Sequence, residues 1–309
     1  MIISPEKDAE TLRNAMIIRK EEAIIDIITQ RTNQQCSKIS TTFTKIYNKD
    51  LIIEFQKFFT GKGHIEDISI ALITNPIEYD CQNLRTAIKS IICDLETITE
   101  IISTRPSFML KQMNQKYLEL FKVKGKDLKK DIESCTTGVI RKILISLLDN
   151  NRSQNNSPNL DECQDKAEKL KHEGVKRWAG DDSYFVKIFT TNSPMEIAYI
   201  SKLYHKMMGF TILQGINNEL SGDVKKFLTN FVFAVLSPSE YFATKINKAI
   251  TGKNEKILTR IIVSRHEIDM EPIKQYYFKL YGKELVSELK NTFSGTGLYY
   301  RVINKLVGI

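Results

Sequence analysis

"RIIVSRHEIDMEPIKQYYFKLYGKEL" occupies residues 260–285, and "DIITQRTNQQCSKISTTFTKIYNKDL" occupies residues 26–51. Both are 26 residues long and carry an Ile pair directly after their first residue. Both reach Arg at the sixth position, as Arg31 and Arg265, and both close on Ile/Leu-Tyr, then Asn/Gly, Lys, an acid and Leu. One chain writes the same module twice, more than two hundred residues apart. Such self-similarity is the mark of a repeat architecture.

Two further copies lie between them. "DIITQR" at 26–31, "EIISTR" at 100–105, "KIFTTN" at 187–192 and "RIIVSR" at 260–265 end 74, 87 and 73 residues apart. A second landmark follows each: "FFTGKG" at 58–63, "CTTGVI" at 135–140, "LSGDVK" at 220–225 and "FSGTGL" at 293–298. Their glycines, Gly61, Gly138, Gly222 and Gly295, step by 77, 84 and 73. The third landmark is an apolar strip after each glycine: "ISIALI", "ILISLL", "FVFAVL" and "VINKLV". The longer middle step carries "DNNRSQNNSPNLDE", 149–162, which has no apolar period and reads as a linker between two pairs of repeats. The expected organisation is repeat 1 over 5–75, repeat 2 over 76–148, the linker, repeat 3 over 163–246 and repeat 4 over 247–309.

Within each repeat the apolar period is helical. Ala23, Ile24, Ile27 and Ile28 share one face, as do Ile39, Phe43, Ile46 and Tyr47. Each T/S-G pair reads as a turn before a new helix, with the small residue as N-cap and glycine relieving the backbone. A repeat fits about five short helices, too few to bury a core alone, so the four must stack. The predicted class is all-α.

Composition agrees. Of 309 residues, 42% are hydrophobic, 27% charged, and only 14 are Gly and 7 Pro, which favours helices over a turn-rich β fold. No apolar run is long enough to span a bilayer. "MIISPEKDAE" turns acidic too early for a secretory signal, so the expected location is the cytoplasm. Cys36, Cys81, Cys93, Cys135 and Cys163 are scattered and read as reduced thiols filling helical space. The net charge of +8 points to an anionic partner.

The chain resembles the annexin core over roughly residues 8–309. The resemblance is carried by "DAETLRNAM", "EEAIIDIITQRTN", "YDCQNLRTAIK", "SPNLDE", "GVKRWAGDD" and the 260–285 stretch. It implies a slightly curved all-α disc with membrane-facing loops, and calcium-dependent binding to acidic phospholipid. In that family a loop of the K-G-x-G-T kind donates carbonyls, and an acid about forty residues later supplies a carboxylate. Calcium takes six to eight hard oxygens, and lipid phosphate or water completes the shell.

By that pattern three sites are degraded. "MIIRKEE", 16–22, is shortened, lacks glycine, and meets Phe58 in the acid position; "KSIICDLE", 89–96, lacks glycine and meets Cys135; "TGKNEK", 251–256, is shortened and meets Thr292. Repeat 3 is full length. The resemblance assigns the carbonyls of Gly174, Arg177 and Ala179 and the carboxylate of Glu219 as calcium ligands. Ala179 stands where the family has glycine, and a left-handed Ala costs about 1–2 kcal/mol, which the loop avoids if the turn moves to Gly180. The resemblance also sets Trp178, the one tryptophan, near the lipid interface, so it is expected to be exposed.

The resemblance further sets Asp80 against Arg105, and Glu100 against Arg260 with Asp269 nearby, as a central charge cluster that fixes how the halves pack. Basic residues recur where calcium ligands are lost: Arg19, Lys20, Lys62, Arg141, Lys142, Lys225, Lys226, Lys253, Lys256 and Arg301. The expected function is peripheral binding to acidic membranes, with calcium acting weakly through repeat 3. The competing class is a calcium-independent protein-binding or cytoskeletal scaffold. Nothing supports an enzyme or a nucleic-acid reader: His64, His172, His205 and His266 do not cluster with nucleophiles, and there is no phosphate-cradling glycine loop or base-reading motif.

Overall fold

The computed structural model describes residues 4–121, 127–149, 152, 153, 155 and 157–308. These residues form twenty α-helices and no strand. Each repeat holds five. Repeat 1 has α1 (Pro5–Ile17), α2 (Glu21–Gln30), α3 (Asn33–Tyr47), α4 (Leu51–Phe59) and α5 (Ile65–Ile73). Repeat 2 has α6 (Pro76–Lys89), α7 (Leu95–Thr104), α8 (Ser107–Phe121), α9 (Leu128–Cys135) and α10 (Gly138–Leu148). Repeat 3 has α11 (Leu160–Glu173), α12 (Tyr184–Thr191), α13 (Pro194–Met208), α14 (Ile212–Glu219) and α15 (Gly222–Leu236). Repeat 4 has α16 (Pro238–Thr251), α17 (Glu255–Arg265), α18 (Met270–Tyr281), α19 (Leu285–Phe293) and α20 (Leu298–Val307).

The duplicated 26-residue stretch is a set of helix punctuation marks. In the first copy Thr32 and Gln35 form a capping box that starts α3. Asn48 (φ 51°) and Gly282 (φ 67°) stop α3 and α18 in the left-handed conformation. Asp50 then accepts from the Ile52 and Ile53 N–H groups and starts α4, with Glu284 at the equivalent cap of α19. Leu51 and Leu285 are buried as the first residues of the new helices. The T/S-G landmarks are used differently from the expectation. Thr137 and Ser221 stand at the N-caps of α10 and α15, but their hydroxyls make no capping bond; Gly138 (φ 54°) and Gly222 (φ 64°) carry the turn.

A second contact is also written four times, in four chemistries. The first helix of each repeat reaches the residue that closes the second. Asp8 takes Arg31 through two bonds of 2.7 and 3.0 Å, and Asp80 takes Arg105 through two of 2.7 and 2.9 Å. In repeat 3 the Lys166 ammonium donates to the Asn192 amide oxygen at 2.8 Å. In repeat 4 the Arg265 guanidinium lies 4.6 Å from the Phe242 ring centroid.

The helices gather into two compact units. One comprises the chain up to Tyr79 together with Ser239 onward, and the other is Asp80–Pro238. Repeat 1 therefore joins repeat 4, and repeat 2 joins repeat 3. In the first unit α5 packs on α17 and α20, and Lys305 and Arg301 reach Asp26 and Glu22 at 2.6 and 2.7 Å. In the second unit α7 packs on α15, and α10 on α12. The 149–162 segment thus joins two repeats of one unit rather than separating two pairs, and its residues 150, 151, 154 and 156 lie outside the described residues. The expected break at 246–247 is also corrected. It falls inside α16, whose start is set by Pro238 in its first turn.

Candidate functional site

Each loop between the first and second helices of a repeat is a candidate site, and those of repeats 1 and 4 close on themselves. In repeat 1 the N–H groups of Ile18, Arg19 and Lys20 donate to the carbonyls of Asn14, Met16 and Ala15 at 3.0, 3.4 and 2.8 Å. In repeat 4 the N–H groups of Gly252, Lys253 and Asn254 repeat the pattern onto Lys248, Ile250 and Ala249 at 3.0, 3.1 and 2.8 Å. Arg19 (φ 55°) and Lys253 (φ 48°) take the left-handed position that ends each helix. In both repeats the loop N–H groups bond back onto the last turn of the preceding helix, as a helix stop. In repeat 1 the acid position, Phe58, lies under the Lys62 ammonium at 4.5 Å from its ring centroid. The same ammonium pairs with Glu21 at 2.6 Å, so a side-chain cation sits beside the loop.

In repeat 2 the loop keeps its length but turns inward. The Ser90 hydroxyl donates to the carbonyls of Ala87 and Ile92 at 2.7 and 2.6 Å, and the Asp94 N–H donates to Ala87 at 3.0 Å. This projects Ile91 and Ile92 outward. Ile92 is 85% exposed and Ile91 wholly so, while Ile17, the last residue of α1, and Ile18, its C-cap, are 67% and 68% exposed. Burying an Ile is worth about 1.5–3 kcal/mol, so four isoleucines left at loop tips are a large unused driving force. Sequence reasoning covered both loops yet missed these pairs. The available signal was an Ile-Ile dipeptide at the tip of a loop lacking helical period.

In repeat 3 the chain after α11 turns at Gly174 (φ 76°) into a short 3-10 helix, Val175–Ala179. Gly180 has φ −84°, and Ala179 is not left-handed, so the strained turn is at Gly174 rather than at Ala179 or Gly180. The Gly174 and Arg177 carbonyls accept from the N–H groups of Arg177 and Gly180 at 3.1 and 2.9 Å. Helix α14 packs directly on this turn: a Cβ added to Gly215 would lie 3.0 Å from a Val175 methyl. The exposed Glu219 ends that helix. Its charge reaches Tyr204, whose hydroxyl is pushed up to about 12 by burial first and by Glu219 second. The proposed donor set, three carbonyls and one carboxylate, is all oxygen with a single charge. That is the chemistry of a weak hard-cation site. Among the described residues no three His, Cys, Asp or Glu side chains group as metal ligands.

Trp178 is corrected. It is fully buried, stacked on Phe185 at 5.0 Å between ring centroids and tilted against Tyr204 at 5.6 Å. An indole buries a large apolar area and gains from ring contacts, which outweighs leaving its buried N–H without a hydrogen-bond partner. In this conformation it is a core residue and offers nothing to lipid.

The basic residues divide by what they touch. Arg19, Lys20, Lys142, Lys226, Lys253 and Lys256 are exposed. Lys225 is half-buried and donates to the Asn217 carbonyl at 2.7 Å, so it braces the end of α14. Arg141 similarly grips the Thr136 carbonyl, and Arg301 pairs with Glu22. In the charge cluster Asp80 and Arg105 are a buried bidentate pair. Asp269 grips Arg265 through two contacts of 2.7 Å. Glu100 and Arg260 are both buried and belong to different units.

Comparison with known proteins gives one answer. The Annexin family model matches residues 7–72, 79–147, 165–231 and 241–296, one match per repeat. Human annexin A1 is 33% identical over 309 residues, covering 99% of this chain and 87% of that protein. Among solved structures, annexin III superposes with a TM-score of 0.90 at 30% identity, covering 100% of this chain and 95% of that one. Chicken annexin V superposes with a TM-score of 0.83 at 28% identity, covering 100% and 96%.

Proposed function

Since the chain belongs to the annexin family, we propose that it binds acidic phospholipid membranes peripherally, with a weak calcium dependence supplied by repeat 3 alone. No helix among the described residues is long and apolar enough to cross a membrane. The observation that carries the reading is the pair of isoleucine tips. Ile17–Ile18 stand exposed at the end of α1, and Ile91–Ile92 in the loop after α6. Where a loop offers no cation cradle, adhesion has to come from apolar tips and from cations on the surface. Arg19 and Lys20 flank the first tip, and each basic residue near an anionic surface contributes about 1 kcal/mol. Apolar and electrostatic contributions together are the usual recipe for a monotopic contact.

Calcium enters through the remaining loop. The carbonyls of Gly174, Arg177 and Ala179 and the Glu219 carboxylate would hold it, and a bound ion would bring positive charge to a loop facing lipid phosphate. One carboxylate gives modest affinity. The rest of the surface needs no ion.

Sedimentation with phosphatidylserine vesicles tests this. In chelator at low salt the chain is expected to pellet, and calcium is expected to increase the pelleted fraction. Glu219→Gln removes the charge and should abolish the increase while leaving chelator binding intact. An unchanged calcium response in Glu219→Gln would reject the repeat 3 assignment. Equal failure to pellet with acidic and neutral vesicles, with and without calcium, would reject membrane binding and favour a protein-binding scaffold.

A further inference from the structure

We infer that Cys93 and Cys135 are a covalent modification site: a disulfide that ties the repeat 2 loop to the turn between α9 and α10. The two sulfurs are 2.7 Å apart, closer than ordinary van der Waals contact. A disulfide bond is about 2.05 Å, so closure needs a movement of under about one ångström. The residues are 42 apart in sequence and sit on separate elements. Cys93 precedes α7, and Cys135 is the last residue of α9.

Both carriers are pinned independently of the sulfurs. On the loop side Ser90 and Asp94 hold the backbone to Ala87. On the turn side the Thr136 hydroxyl donates to the Ile132 carbonyl at 2.6 Å, and Arg141 grips the Thr136 carbonyl at 2.8 Å. The sulfur contact therefore follows from two fixed backbones. It is also selective. Cys36, Cys81 and Cys163 are buried, whereas Cys93 and Cys135 are only partly so. A surface groove of about 890 Å3, lined in part by Ile92, Cys93, Asp94 and Phe227, opens beside Cys93 and admits a small reagent. The position has meaning within the repeat, because Cys135 stands where the family pattern has its acid and Cys93 lies in the facing loop. Two thiols occupy the ends of a bridge that an ion makes elsewhere in the family.

The co-reactant is a low-molecular-weight disulfide of the glutathione class. The Cys135 thiol gives up its proton, and its thiolate attacks one reagent sulfur. The reagent S–S bond breaks and one reagent thiol leaves. The Cys93 sulfur, losing its own proton, then attacks the Cys135 sulfur and expels the second reagent thiol. Two protein thiols are oxidised by two electrons to one disulfide, and one reagent disulfide is reduced to two thiols. Burial and the neighbouring sulfur push the Cys93 thiol up to about 12, so exchange is slow near neutral pH and the test must run for hours.

The full chain is incubated, folded, with excess oxidised glutathione, quenched at acid pH and unfolded. The expected result is a fall in titratable thiols from five to three and an intact mass lower by two hydrogens. Digestion should yield one cross-linked peptide pair joining 93 to 135. Cys93→Ser and Cys135→Ser, each exposed to the same reagent, should instead gain one glutathione adduct. Retention of all five thiols would overturn the inference. So would wild-type chain that stops at a mixed disulfide, or cross-linking through Cys36, Cys81 or Cys163. Should either variant fail to fold, the wild-type peptide map still decides.

Discussion

At the scale of single residues, Asp131 shows how a buried charge is kept. Its side chain is enclosed and receives Arg85 at 2.6 Å, Lys89 at 3.1 Å and the Tyr117 hydroxyl at 2.8 Å. Burial by itself would raise its pKa, but Tyr117, Lys89 and Arg85 together hold it below the usual carboxylate value. Asp131→Asn leaves two cations and a phenol short of a partner, and should cost about 2–3 kcal/mol in urea unfolding at neutral pH. The sign with pH follows from the lowered pKa. The stabilisation is complete above the unfolded value of about 3.9 and is lost as pH falls through the lower folded value. The gap between wild type and Asp131→Asn should therefore hold at neutral pH and shrink below about pH 4. Trp178 offers a second check at this scale. Its emission in chelator should be blue-shifted and resist iodide quenching; red-shifted, readily quenched emission would contradict the buried stack.

At the scale of elements, the loop joining first and second helices decides what each repeat can do. In repeats 1 and 4 the connection is a helix stop, because Arg19 or Lys253 takes the left-handed position and the N–H groups around it bond back onto the helix. The repeat 2 loop keeps its length but gives its carbonyls to Ser90 and Asp94. Exposed isoleucines then remain as the loop's only large apolar feature. Ile91→Ser with Ile92→Ser should lower affinity for acidic vesicles in chelator at least tenfold, which corresponds to about 1.4 kcal/mol. Thermal stability should be unchanged, since neither side chain packs inside. Unaltered vesicle affinity with unaltered stability would remove these tips from the membrane contact.

At the scale of the whole molecule, the two units differ in how the chain builds them. Asp80–Pro238 is continuous, whereas the other unit needs both ends of the chain. A fragment of 80–238 should show helical circular dichroism with a cooperative thermal transition. A fragment of 1–79 should not, because α5 loses its packing against α17 and α20. Net charge acts at this scale as well. With +8 over the chain, adhesion in chelator should fall steeply as salt is raised, since the screening length is about 8 Å at physiological ionic strength. The isoleucine contribution should persist as a salt-resistant remainder on acidic vesicles.

The local grammar was legible from the residues alone. Asn48 with Asp50, and Gly282 with Glu284, are helix stops followed by helix starts. Their recurrence, with the helical apolar period, marked the repeat and the all-α class; that Asn48 and Gly282 are left-handed stops and that Asp50 caps α4 is what the structure adds. Asp80 facing Arg105 is what the family resemblance implied, and the structure has that pair. Tertiary structure decided what local signals cannot carry. Trp178 is a lipid anchor or a core residue according to whether Phe185 and Tyr204 are within stacking distance, and that depends on helix packing. Cys93 and Cys135 are ordinary thiols until α9 ends beside the α7 loop. Four similar repeats also leave their pairing open. It took the packing of apolar strips, α5 against α17 and α20 and α7 against α15, to join the first repeat to the last. Burial depends on which surfaces meet, and the period along one helix does not specify its partner.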